Sequence, residues 1–163
     1  MTGADTSLAQ IIAINRRRIG LDPVDTQLDA RYSESTGAAN RLCVYGRMRP
    51  GGPDADVLQP LGGDWTEAAF PGYLQDASCS IDQCPGLAWT PSGDINQGLI
   101  LSSPRLQDAW PELDTKEGSH LVRLLTQVFT GDNETVANIY VSRDATQAQL
   151  LMLDGMNVHD DKD

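Results

Sequence analysis

Two short stretches carry the groups best able to do chemistry: YGRMRPGGPDADVL at residues 45–58 and LDTKEG at 113–118. In the first, an apolar LCV run ends in a tyrosine–glycine pair and then meets two arginines, two prolines and two more glycines. A turn at Gly46 lets the backbone approach closely and aim consecutive N–H groups at one point, a nest suited to a carboxylate or phosphate. Arg47 and Arg49 add positive charge, and Pro50 and Pro53 stiffen the exit. The same residues also make a plain glycine-rich hairpin turn, and they lack the GxGxxG or GxxxxGK[ST] order of nucleotide binders. In the second stretch, Glu117 closes a helix with one apolar face. A carboxyl set in a pocket can take a proton and later return it. A glutamate near a helix end is equally at home in solvent. Neither stretch decides a function alone.

The elements that must hold these residues follow from pattern. SLAQIIAINRRRIG (7–20) predicts a helix, with Ser7 and Gln10 as a capping box and Gly20 as its stop. Leu8, Ile11, Ile12 and Ile19 share a face that Asn15 interrupts, while Ile14 lies to the side. Such a helix packs on the domain with Arg16, Arg17 and Arg18 solvated, or else it docks a partner and makes a homo-oligomer. Residues 21–40 read as a polar linker, so 1–40 form an extension to a domain at 41–163. RLCVYG, AAFPGYL and QGLILSS predict strands, with the turn-rich DASCSIDQCPGLAWTPSGD between the last two. SSPRLQDAWPELDTKEG predicts helix, capped by Ser103 with Pro104 in its first turn and Leu106, Ala109, Trp110 and Leu113 on one face. Pro111 is expected to split it into two short helices. HLVRLLTQVFT and ETVANIYVSR flank a polar turn around GDN and predict a β-hairpin. DATQAQLLMLDG predicts a short closing helix, followed by a frayed acidic tail. The sum is one α+β domain with a mostly antiparallel sheet or small barrel.

Composition narrows the function. The chain has 163 residues, enough for one good core. Its formal net charge of −11 repels phosphate backbones and anionic lipid, so nucleic acid and membrane surfaces are not expected partners. No apolar run reaches the roughly 18 residues of a membrane span, and the basic residues near the N-terminus follow the apolar IIAI rather than precede it, unlike a secretory signal. A cytoplasmic location is the expectation. Cys43, Cys79 and Cys84 include no C-x-x-C pair and fit reduced thiols, with Cys43 a small core residue. With His120 and His159 the only histidines, no metal centre is expected.

Taken in order, several motifs resemble those of the γ-glutamylcyclotransferase-like superfamily, which includes small bacterial proteins and the plant avirulence-induced-gene-like proteins. VYGRMRPGGPDADVL is similar to the family's strand-ending YGxLRxG loop. FPGYL, PGLAW and INQGLIL follow in the family's order, WPELDTKEGSHLVRLLTQV resembles its LDxxEGxxYxR segment, and ANIYV its final strand. The resemblance implies a small, mostly antiparallel β-barrel flanked by short helices, with a cavity at one end. It implies that Tyr45, Gly46, Arg47, Met48 and Arg49, with Tyr140 of the last strand, bind the glutamyl end of a small γ-glutamyl substrate. It assigns Glu117 as the proton shuttle of a γ-glutamyl cyclotransferase that releases 5-oxoproline from an amide, amine or peptide, with no cofactor or metal. The alternative is a non-catalytic barrel that binds a small carboxylate or a protein partner. The chain departs from the pattern at Arg47, where the family has a small residue, at Asp54 and Ala55, where it often has Asn-His, and at Leu121, where it has a tyrosine.

Overall fold

A computed structural model describes residues 3–46, 50, 55–74, 87–117, 120–131 and 133–161, with side chains for all of these except 3–7, 55, 74, 117 and 154–161. Along the chain run α1 (Gly3–Arg18), α2 (Thr26–Thr36), β1 (Arg41–Val44), β2 (Asp64–Leu74), β3 (Leu87–Ala88) and β4 (Asp94–Ser102). Next come α3 (Leu106–Glu117), β5 (Leu121–Thr130), β6 (Asn133–Ser142) and α4 (Arg143–Asp161). Alternation of apolar residues makes the strands, and their two faces go to different cores. Cys43, Phe70, Ile100, Leu124, Val128 and Ile139 join one apolar cluster. Their neighbours Leu42, Val44, Leu101 and Tyr140 join another, beneath Leu106, Trp110 and Leu113 of α3.

The strands lie in the order β3-β2-β4-β1-β6-β5, and β5 returns to β2 through Ala69↔Phe129. Five strands therefore close into a barrel, which removes open edges. Among the described residues, every pairing is antiparallel except β1 with β6, where Leu42 faces Asn138 and Cys43 faces Ile139. The expected α+β barrel is the observed architecture. β5 and β6 form the expected hairpin, closed by Thr130↔Asn133.

Several local expectations are corrected. α1 begins at Gly3, so Ser7 lies within the helix rather than at its head. Ile14 is buried with Ile11, and Asn15 does not interrupt the packed face. Its amide is fully buried, donating to the Leu125 carbonyl (2.9 Å) and accepting from the Leu125 N–H (2.8 Å). Among the described residues, β5 meets β2 only near Phe129, and Asn15 supplies the partner that Leu125 lacks where that ladder stops. Residues 21–40 are not a linker throughout. They contain α2, whose N-terminus is capped by Asp25 Oδ1 accepting from Leu28 N (3.0 Å) and whose C-terminus ends at left-handed Gly37.

Arg18 is not solvated: its side chain is 13% exposed and grips Asp29. Pro111 does not split α3, because both it and Gln107 face solvent. The carbonyl that loses its helical donor can be satisfied by water. α4 continues to Asp161, through most of the segment expected to fray. The Ser103 hydroxyl accepts from the Arg105 N–H (3.2 Å) just ahead of α3, as its capping role requires. None of the described helices is long and apolar enough to cross a membrane.

Candidate functional site

The single parallel pair determines which residues meet. Because β1 and β6 run the same way, both finish at one end of the barrel, and β5, antiparallel to β6, starts there. α3 feeds directly into β5, so its last turn arrives at that end too.

Tyr45 follows β1 and is 9% exposed. Its hydroxyl donates to the backbone carbonyl of Tyr140 (2.6 Å) and accepts from the Leu87 N–H (3.2 Å). Its ring lies 5.6 Å from that of Phe70. One phenol thus ties the exit of β1 to β6 and β3. Gly46 then takes φ +64°, a left-handed conformation in which a side chain would be strained. That conformation is the one the expected turn asks of its glycine. Arg47, Met48 and Arg49 lie outside the described residues, as do Cys79 and Cys84.

α3 is fixed from its middle to its end. Trp110 Nε1 donates to the Ala39 carbonyl (3.0 Å), and Leu113 is buried beneath the helix. In the last turn, the Asp114 carboxylate receives Arg123 Nε (2.9 Å) and Nη2 (3.3 Å), and also the Tyr140 hydroxyl (2.6 Å). The Arg123 guanidinium sits 4.4 Å from the centroid of the Trp110 ring, a cation–π contact that holds it flat against the helix. Glu117 closes α3 three residues after Asp114, just under one turn. Its side chain lies outside the description.

Tyr140 is the meeting point: its carbonyl holds the residue before the Gly46 turn, and its hydroxyl holds the turn of α3 that ends in Glu117. Tyr45, Gly46 and Tyr140 come together at this end, and the Glu117 backbone reaches the same place. A cavity of about 310 Å³ opens beside Tyr140, lined also by Asp114, Arg123, Leu121, Arg18 and Arg143 among others, while Tyr45 and Gly46 are not part of its lining.

Sequence reasoning missed Asp114, Asn138 and the pair Arg18–Asp29. Asn138 is fully buried; its Oδ1 accepts from Arg18 Nη1 (2.7 Å) and Arg123 Nη1 (2.9 Å), while Nδ2 donates to the Ala38 carbonyl (2.8 Å). The available signal was an amide inside the apolar ANIYV, since a polar group buried in a strand must find partners. Burial acts against ionisation of Asp29, but the Arg18 hydrogen bonds and charge, aided by Ser33 and Arg123, hold its carboxyl below the usual range. Burial pushes the Cys43 thiol far up, so it is a core residue and no nucleophile near neutral pH. Among the described residues, no three His, Cys, Asp or Glu side chains gather as metal ligands.

A scan against protein-family models finds no match, and no curated protein matches this chain. Among solved structures, the chain is similar to an Arabidopsis thaliana protein determined in solution, at 17% identity and TM-score 0.48, covering 76% of each chain. It is similar to an AIG2-like protein from Mus musculus, at 19% identity and TM-score 0.46, covering 66% of this chain and 78% of that one. YkqA from Bacillus subtilis is similar at 18% identity and TM-score 0.49 over 63% of this chain and 35% of its own. These are likenesses of shape.

Proposed function

We propose that this chain is a γ-glutamyl cyclotransferase that frees an amine or amino acid from a γ-glutamyl amide and releases 5-oxoproline. The observation that carries the reading is the bridge at Tyr140, which joins the YG turn to the helix turn ending in Glu117. Two motifs far apart in sequence, each ambiguous alone, meet at one end of one barrel. Their order along the chain is also that of the γ-glutamylcyclotransferase-like motifs.

The chemistry asks little of the protein beyond position and one proton carrier. The substrate's α-amine attacks its own γ-carbonyl carbon, closing a five-membered ring through a tetrahedral intermediate. The bond to the leaving nitrogen then breaks. Because the attack is intramolecular, holding the folded substrate supplies much of the rate, and effective molarities of about 10⁵ M or more are available to well-oriented reactions. Glu117 takes a proton from the α-ammonium so that the amine can attack, and delivers one to the leaving nitrogen. Backbone N–H groups at the Gly46 turn are suited to the α-carboxylate of the glutamyl end. The remaining proposed members of this binding set are Arg47, Met48, Arg49 and Tyr140.

The test is 5-oxoproline release from a panel of γ-glutamyl amino acids, amines and peptides. Turnover is expected, with Glu117→Gln lowering kcat by about 10²- to 10⁴-fold. A panel without turnover, or a Glu117→Gln variant at full rate, ends this reading. One observation favours a second reading, a barrel that binds a small carboxylate without turning it over: Arg18, Arg123 and Arg143 line the cavity, with Asp29 and Asp114 paired to the first two. Saturable calorimetric binding of 5-oxoproline or a γ-glutamyl compound, without product release, would favour it.

A further inference from the structure

The N-terminal helices reach the same place by a route that the proposed chemistry does not use. Arg18, in the last turn of α1, meets Asp29 of α2 through Nε and Nη2, both at 2.6 Å. Its remaining nitrogen, Nη1, crosses to the barrel and donates to Asn138 Oδ1 (2.7 Å) and the Arg123 carbonyl (3.3 Å). That same Asn138 oxygen accepts from Arg123 Nη1, and Arg123 holds Asp114 with its other two nitrogens. The run Asp29–Arg18–Asn138–Arg123–Asp114 is therefore unbroken from α2 to the last turn of α3. Two guanidinium groups share one neutral oxygen at its centre, which is tolerable because each also faces its own carboxylate. The shared atom is fully buried, so water does not screen it and cannot readily take the place of a missing donor. Arg16, two residues earlier, makes a similar pair with Asp22 (2.8 Å), six residues further along the chain.

We propose that α1 and α2 form a positioning element for the barrel-end site, acting through Arg18. Its guanidinium fixes Asn138 and Arg123, and these in turn fix the α3 turn that carries Glu117. The catalytic consequence rests on the cyclotransferase reading, whereas the mechanical link does not. Arg18 is a positioning residue and touches no reacting atom in this scheme.

The experiment compares the full chain with Arg18→Met, which keeps an apolar stem but removes every donor, and with Arg16→Met, which breaks the Arg16–Asp22 ion pair. Amide hydrogen exchange at residues 113–117 is read first, because it needs no substrate. Arg18→Met is expected to speed exchange there by about tenfold or more, through easier local opening, while Arg16→Met leaves it unchanged. Arg18→Lys can reach Asp29 or Asn138 but cannot grip both as a fork does. It is expected to give an intermediate rate, and it decides the matter if Arg18→Met does not fold. Unchanged exchange at 113–117 in the folded Arg18 variant, or an equal rise in Arg16→Met, overturns the proposal. In an active protein, Arg18→Met should lower kcat with KM within about twofold, the pattern of a displaced proton carrier rather than lost substrate binding. If the wild type releases no 5-oxoproline, the cyclotransferase reading fails while exchange still decides the positioning role.

Discussion

Tyr140 serves two neighbours through two different groups, and substitution can separate them. Tyr140→Phe keeps the carbonyl that receives Tyr45 and loses only the hydroxyl bonded to Asp114, whose side chain is 43% exposed. Water can replace that bond, so the expected loss of stability is within about 1 kcal/mol. The expected loss of 5-oxoproline release is larger in proportion, because the α3 turn is freed. Tyr45→Phe should behave in the opposite way. It removes the buried phenol that bonds both the Tyr140 carbonyl and the Leu87 N–H, at a cost of about 1–3 kcal/mol. Urea unfolding of the two variants measures the contrast; equal losses would show that both hydroxyls do the same work. Leu121, which stands where the resembling family has a tyrosine, is half-buried among the α3 contacts and lines the cavity. Tyr140, on the strand alongside, also lines this cavity, and its hydroxyl bonds Asp114.

Among the elements, β4 shows how a strand residue controls the site from outside it. A Cβ on Gly98 would lie 2.6 Å from the Val44 carbonyl oxygen and 2.9 Å from Phe70 Cε1. Gly98→Ala should therefore push β1 outward just before Tyr45, lowering Tm and activity together. A variant with wild-type values for both would show that β1 can shift at no cost. Asn15→Leu removes both partners of the Leu125 main chain and should cost about 2 kcal/mol or more. Strands and the hairpin were legible because apolar alternation and the GDN turn are local signals. α2 was not, since Tyr32 and Ser33 are its only buried residues among those described, and it rests on the Asp25 cap, the Gly37 stop and Asp29's bond to Arg18. Asn15 reads as a defect in an apolar stripe until the gap beside Leu125 is seen. Of the site, the YG turn and Glu117 could be read from motif order. Nothing in a run of three arginines said that the third crosses to the barrel.

For the whole molecule, a net charge of −11 leaves stability sensitive to acid at particular carboxylates rather than generally. The hydrogen bond from Arg16 holds the Asp22 carboxyl below its ordinary value, and Asp29 is lowered as well against its burial. The folded state thus binds these protons less readily than the unfolded chain, whose aspartates titrate near about 3.9. Their contribution is fully present above that pH and declines as pH falls through the folded values. Tm should hold between about pH 5 and 7 and drop below about pH 4, with Asp29→Asn flattening the drop. An unchanged acid slope in Asp29→Asn would remove Asp29 as a cause. The parallel strand pair has a consequence in time as well as in space. On the ribosome β1 is made almost a hundred residues before β6, and after β4 has paired with one flank the other stays open. Contacts that separated in sequence form slowly. Until the last third of the chain arrives, the strand that will hold the site presents an unpaired edge, the surface on which nascent chains stick to one another.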